Sequence, residues 1–185
     1  MTQIKIVLVG SNSIARQRVA RYLMYEGFTR MHMLEGAKRA FKLFYGPSFR
    51  TNTVAPQKKV DLYDAVYKVL PDAFLEYLNY RVIRSGKNIV VPDARYVDEV
   101  TYLHDELGFC IVRVTSDYKM VRPGNAVRDA GPGTTVLYES FLPSFNAASY
   151  MYTPYYSVPW YGDKEKDRTR AAVKQMIDTL NLGWK

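Results

Sequence analysis

Residues Ile6 to Leu23, IVLVGSNSIARQRVARYL, constrain the fold more than any other stretch of the chain. A β-branched, apolar run ends at Gly10, a short polar loop follows, and a helical pattern carrying Arg16, Arg18 and Arg21 begins. A run this short, closed by glycine, reads as a buried strand at 4–9. The helix reads from Ala15 to Tyr25, with Val19, Tyr22 and Leu23 on its buried face. The alternation returns in KNIVVPDARYVDEVTYLHDELGFCIVRV: a strand at 88–91, a helix at about 96–107, a stop at Gly108 and a strand at 110–115. Strands alternating with helices of this length imply crossover units and a mainly parallel sheet. The expected architecture is a three-layer α/β domain.

Other segments fit around that frame. TRMHML reads as a second strand, and EGAKRAFKLFYG as a helix stopped by Gly46 and Pro47. Residues 48–59 are polar and read as a loop. A helical region at about 60–84 is interrupted or restarted near Pro71-Asp72, with Asp72 as a candidate N-cap. Residues 117–135, DYKMVRPGNAVRDAGPGTT, combine glycine, proline and basic residues and read as a loop or lid. DKEKDRTRAAVKQMIDTL closes the chain as an amphipathic helix with Ala172, Met176 and Leu180 inward. The length of 185 residues fits one domain, 1–185.

In such a sheet, ligands bind at the carboxyl ends of the strands. Gly10 lies there, and the following helix aims unpaired N–H groups and a positive dipole end at the crevice. A full phosphate loop reads G-x-x-x-x-G-K-[ST]. Here the eight positions are Gly10, Ser11, Asn12, Ser13, Ile14, Ala15, Arg16 and Gln17. The spacing is intact, but glycine has become Ala15, lysine Arg16, and the hydroxyl residue Gln17. Arg16 keeps a positive charge that can grip phosphate oxygens. Gln17 cannot readily supply the hydroxyl that ligates Mg²⁺, which weakens the case for phosphoryl transfer. Arg18 and Arg21 sit where the helix dipole disfavours them, which suggests a nearby anion; the alternative is a strand-turn-helix with surface arginines.

The second constellation is VVPDARYVDE. Asp93 and Arg95 follow a buried strand, so both are expected in the same crevice. Glu99, one helical turn after Arg95, could orient its guanidinium. The plainer reading is a helix capped by Asp93, with a surface ion pair.

Composition narrows the partners. The formal charge is +8, which points either to a polyanion (nucleotide, nucleic acid, acidic protein) or simply to solubility. Sixteen tyrosines are present, many between residues 138 and 161. That segment could stack on bases, fill an interface or build core, and it leaves a homodimer, a nucleic acid or a protein partner open. Cys110, in FCIVRV, is expected as a buried thiol in a reducing cytoplasm. No apolar run approaches a membrane-spanning length, and the opening residues lack signal-peptide anatomy, so no membrane association is expected. His32 and His104 stand alone, without metal-ligand spacing. Ser11 and Ser13 have no histidine base nearby in sequence.

Together the pieces resemble the bacteriophage deoxynucleoside monophosphate kinases, a branch of the P-loop nucleoside monophosphate kinase fold. The resemblance rests on IVLVGSNSIARQRVARYL, LEGAKRAFKLFYG, GKNIVVPDARYVDEVTYLHDELGFCIVRV and the terminal helix, in that order. It implies a P-loop kinase-like domain over 1–185, with a basic lid at about 117–135, in the host cytoplasm. It also implies transfer of phosphate from ATP, with Mg²⁺, to a deoxynucleoside monophosphate. By position, Gly10 to Gln17 would surround the donor phosphates, and Asp93 and Arg95 would face acceptor or metal. Lys38 and Arg50 would lie on the acceptor side, and Arg122 and Arg128 look like lid arginines. The alternative is a catalytically impaired kinase fold that binds a nucleotide, a nucleic acid or a protein.

Overall fold

The computed structural model describes residues 3–10, 13–33, 35–36, 39, 42–43, 46, 65–66, 68–94, 97–116 and 156–183. Among these, five strands form one parallel sheet: β1 (Lys5–Val9), β2 (Thr29–Arg30), β3 (Ile89–Val91), β4 (Cys110–Ser116) and β5 (Tyr156–Trp160). Their spatial order is β2-β3-β1-β4-β5. The helices are α1 (Ser13–Tyr25), α2 (Pro71–Ser85), α3 (Val97–Thr101, continued as a π turn to Glu106) and α4 (Lys166–Gly183).

Alternation along each strand divides the core into two layers. Ile6, Leu8, Val90, Val112 and Val158 face α1 and α4, where Val19, Leu23, Met176 and Leu180 are fully buried. Val7, Val9, Ile89, Val91 and Ile111 face α2 and α3, against Leu75, Leu78, Val100 and Leu103. Each β-branched or leucine side chain removed from water this way contributes about 1.5–3 kcal/mol. The result is a three-layer α/β fold with helices on both faces of a parallel sheet.

Three local expectations change. Helix α1 starts at Ser13, two residues earlier than its apolar pattern indicates. Pro71 opens α2 with Leu70 at the cap position, so Asp72 lies in the first turn and is not the cap. Proline suits that place because its missing N–H would have had no helical partner. The second strand is only Thr29–Arg30; the Met31 N–H still donates to the carbonyl of Val90, and residues 32–33 leave the ladder. The tyrosine-rich segment ends in β5, where Val158 and Trp160 are buried and Tyr156 packs on the α1/α4 layer. Strand β5 has β4 as its one neighbour among the described residues, an edge setting that tolerates Pro159. The basic loop at 117–135 and residues 138–155 lie outside the described residues.

Cys110 is a buried free thiol, as expected. No described helix is long and apolar enough to cross a membrane.

Candidate functional site

The connections place a crevice between β1 and β3. The chain leaves β1 toward β2 with α1 on one face, and leaves β3 toward β4 with α3 on the other. Adjacent parallel strands whose helices depart to opposite faces open a gap at their carboxyl ends, the usual ligand position in such sheets.

Gly10 ends β1 at this gap. Its φ is 141°, and a Cβ there would stand under 3.0 Å from the carbonyl oxygen of Val114 in β4. Glycine is therefore required by the approach of two backbones, whatever the loop binds. Only residues 10–12 separate β1 from α1, so Ser13, Ile14, Ala15, Arg16 and Gln17 are all helical. Ala15 is buried in the core and needs no positive φ, which removes the cost of replacing glycine there. Ile14, in the first turn of α1, is 54% exposed.

Arg16 is buried at 9% exposure. Its Nε donates to the carbonyl of Pro92 at 3.0 Å, and its Nη1 donates to the carbonyl of Gly10. The side chain thus spans the gap between the ends of β1 and β3. Gln17 accepts at 3.4 Å from Nη1 of Arg30, at the end of β2. Arg18 turns to Asp163 at 3.0 Å, tying α1 to the turn before α4, so its charge is used within the protein. Arg21 is exposed.

Asp93 follows β3 and reaches sideways to the end of β2. Its Oδ1 accepts from the backbone N–H of Met33 at 3.1 Å, and its Oδ2 meets Nδ1 of His32 at 3.1 Å. The β2–β3 ladder explains why. Thr29 N–H donates to the carbonyl of Asn88 and Met31 N–H to that of Val90, so the next step would join Met33 to Pro92. The Pro92 carbonyl accepts from Arg16 instead, and the Asp93 carboxylate receives the Met33 N–H. His32 was missed because its partner is 61 positions away in sequence; the only prior signal was a histidine just past a short strand, opposite a strand-end aspartate.

Glu99 is fully buried in α3; its expected partner Arg95 lies outside the described residues. So do Ser11, Asn12, Lys38, Arg50, Arg122 and Arg128. Asp93 is a described carboxylate at the strand ends that could hold Mg²⁺, with phosphate oxygens and water completing its shell. Position 17 carries an amide turned to Arg30 in place of a hydroxyl ligand, while the Asp93 oxygens that meet His32 and the Met33 N–H keep further lone pairs for a ligand. Among the described residues no group of three or more His, Cys, Asp or Glu could hold a metal ion.

What the arrangement offers chemically is a helix amino end, a held carboxylate and an imidazole at one strand edge. No family model matches the chain, and no curated protein matches it.

Proposed function

We propose that the β1/β3 crevice binds the phosphates of a nucleotide and that the chain transfers phosphate from ATP to a deoxynucleoside monophosphate. The single observation that carries this reading is convergence: the amino end of α1, tied to the end of β3 through Arg16, and the His32–Asp93 pair lie at the same carboxyl edge of the parallel sheet. Backbone N–H groups and the dipole of α1 favour an anion there. Phosphoryl transfer asks mainly for positioning and charge neutralisation, which the helix dipole and the cationic residues named by the resemblance would supply. The resemblance to the bacteriophage deoxynucleoside monophosphate kinases adds the donor, the acceptor and the single-domain, lidded organisation. In this reading the donor phosphates lie against the first turn of α1, and Asp93 stands on the acceptor side. Arg16 acts as the strut that keeps the two strand ends in register. Arg95, Arg122 and Arg128, with Lys38 and Arg50, would complete the cationic lining on the strength of the resemblance.

A second reading, binding without transfer, is favoured by one observation. The guanidinium that would replace the phosphate-loop lysine donates to the carbonyls of Gly10 and Pro92. Nucleic acid or protein partners of the 138–161 segment, or a homodimer, belong to this reading. Measuring the deoxynucleoside diphosphate formed from ATP and each deoxynucleoside monophosphate separates the two. Deoxynucleoside diphosphate formed with any acceptor supports transfer; ATP binding with none formed selects the second reading, and no ATP binding rejects a nucleotide site in either.

A further inference from the structure

We propose a second activity for the same crevice: His32, oriented by Asp93, is a general base that activates water against the terminal phosphate of a bound nucleoside triphosphate. This rests on the reading that the crevice holds nucleotide phosphates. The geometry of the pair carries the role. A carboxylate only accepts hydrogen bonds, so the tautomer that satisfies the 3.1 Å contact carries its proton on Nδ1 and has Nε2 as the basic nitrogen. Asp93 cannot swing away, because its other oxygen is held by the Met33 N–H. A base whose orienting carboxylate is itself fixed is the arrangement that general-base catalysis needs. The His32 side chain is 24% exposed and that of Asp93 14%, so the pair is sheltered yet within reach of water.

The chain contains its own contrast. His104 meets Asp105 at 2.6 Å, but these are sequence neighbours, both nearly half exposed, on the π turn that precedes β4. That turn lies at the amino edge of the sheet, away from the crevice.

In the proposed step a water oxygen attacks the terminal phosphorus while one of its protons passes to Nε2 of His32. The bond from that phosphorus to its bridging oxygen breaks, and the bridging oxygen leaves with the electron pair on the nucleoside diphosphate. Inorganic phosphate is the second product, and the imidazolium returns its proton to solvent.

The test is phosphate release from ATP with no acceptor present, with ATP affinity and melting temperature read alongside. Wild type is expected to release phosphate above the buffer rate, and His32→Asn to lower that rate by roughly 100-fold or more. Asparagine sets an amide donor where Nδ1 stands, so Asp93 stays held and ATP affinity is retained. His104→Asn should match wild type. The chain has two histidines, so in the His104→Asn background carbethoxylation with diethyl pyrocarbonate reports on His32 without altering the fold by substitution. Loss of release on modification, with protection by ADP, is the expected result. Phosphate release at the buffer rate from a protein that binds ATP overturns the proposal and leaves the binding reading standing. So does a fully modified or His32→Asn protein as fast as wild type. Absence of ATP binding overturns both.

Discussion

Arg16 donates from Nε to the carbonyl of Pro92 at 3.0 Å, and from the same guanidinium to the carbonyl of Gly10. One side chain of α1 therefore joins the ends of β1 and β3, the two strands whose onward connections part to opposite faces. Arg16 takes the Pro92 carbonyl; the next residue, Asp93, accepts the Met33 N–H, and its other oxygen meets His32. A series of contacts thus runs from α1 to β2, the outermost strand on that side among the described residues.

Removing the strut should be felt first as lost stability. Arg16→Met keeps the apolar stem and leaves two buried carbonyls without their charged donor, a loss expected at about 2–4 kcal/mol. Arg16→Lys keeps the charge but cannot reach two carbonyls in a fixed fork, so it should fall between wild type and Met. Urea denaturation measures both. A loss under about 0.5 kcal/mol for Met, no more than an ordinary surface substitution, would remove the strut from the account.

Gly10→Ala should be among the most damaging single-methyl additions in the chain. The new Cβ meets backbone, not a flexible side chain, and the φ of 141° is unfavourable for alanine. A loss of roughly 3 kcal/mol or more is expected. A variant that folds with wild-type stability would show that the β1–β4 approach at Val114 is looser than described.

Tyr156→Ala should destabilise the monomer and leave any association untouched, because Tyr156 packs on the α1/α4 layer. The expected cost is about 1–3 kcal/mol for a partly buried aromatic. Thermal melting and sedimentation read the two effects separately. Unchanged melting with altered oligomeric state would return this tyrosine to an interface role.

Burial pushes the Cys110 thiol up, against a weaker opposing pull from Lys5. The folded thiol then keeps its proton to higher pH than the unfolded one, so the native state binds more protons above about pH 8.5, and stability falls as pH rises past it. The urea midpoint should stay level through neutral pH and decline in the alkaline range, with a shallower decline for Cys110→Ala. Parallel declines in the two proteins would assign the effect elsewhere.

The parts legible in the sequence were those with strong periodicity. β1, β3, β4, the buried stripe of α1 and the inward face of α4 follow from apolar spacing alone. Strand β5 was hidden because YSVPW mixes a proline and a serine into a strand that has one neighbour among the described residues. The site was half legible. Gly10, Arg16 and Asp93 were marked by type and position, but charge alone does not show where a guanidinium turns. Helix onset at Ser13 decides that, since it carries Arg16 into the gap between strands. His32 was invisible because parallel pairing, not local spacing, brings it to Asp93.

Ile14 gives the most direct test of phosphate binding at the amino end of α1. It is exposed in the first helical turn, and Ile14→Glu places a carboxylate where it favours the helix dipole but opposes a bound phosphate. Calorimetric titration of ATP into both proteins, with melting temperatures alongside, separates folding from binding. The account predicts saturable binding by wild type and at least roughly a tenfold loss in Ile14→Glu, about 1.4 kcal/mol, with melting unchanged or raised. Equal affinity in the two proteins, or no binding by wild type, would contradict it.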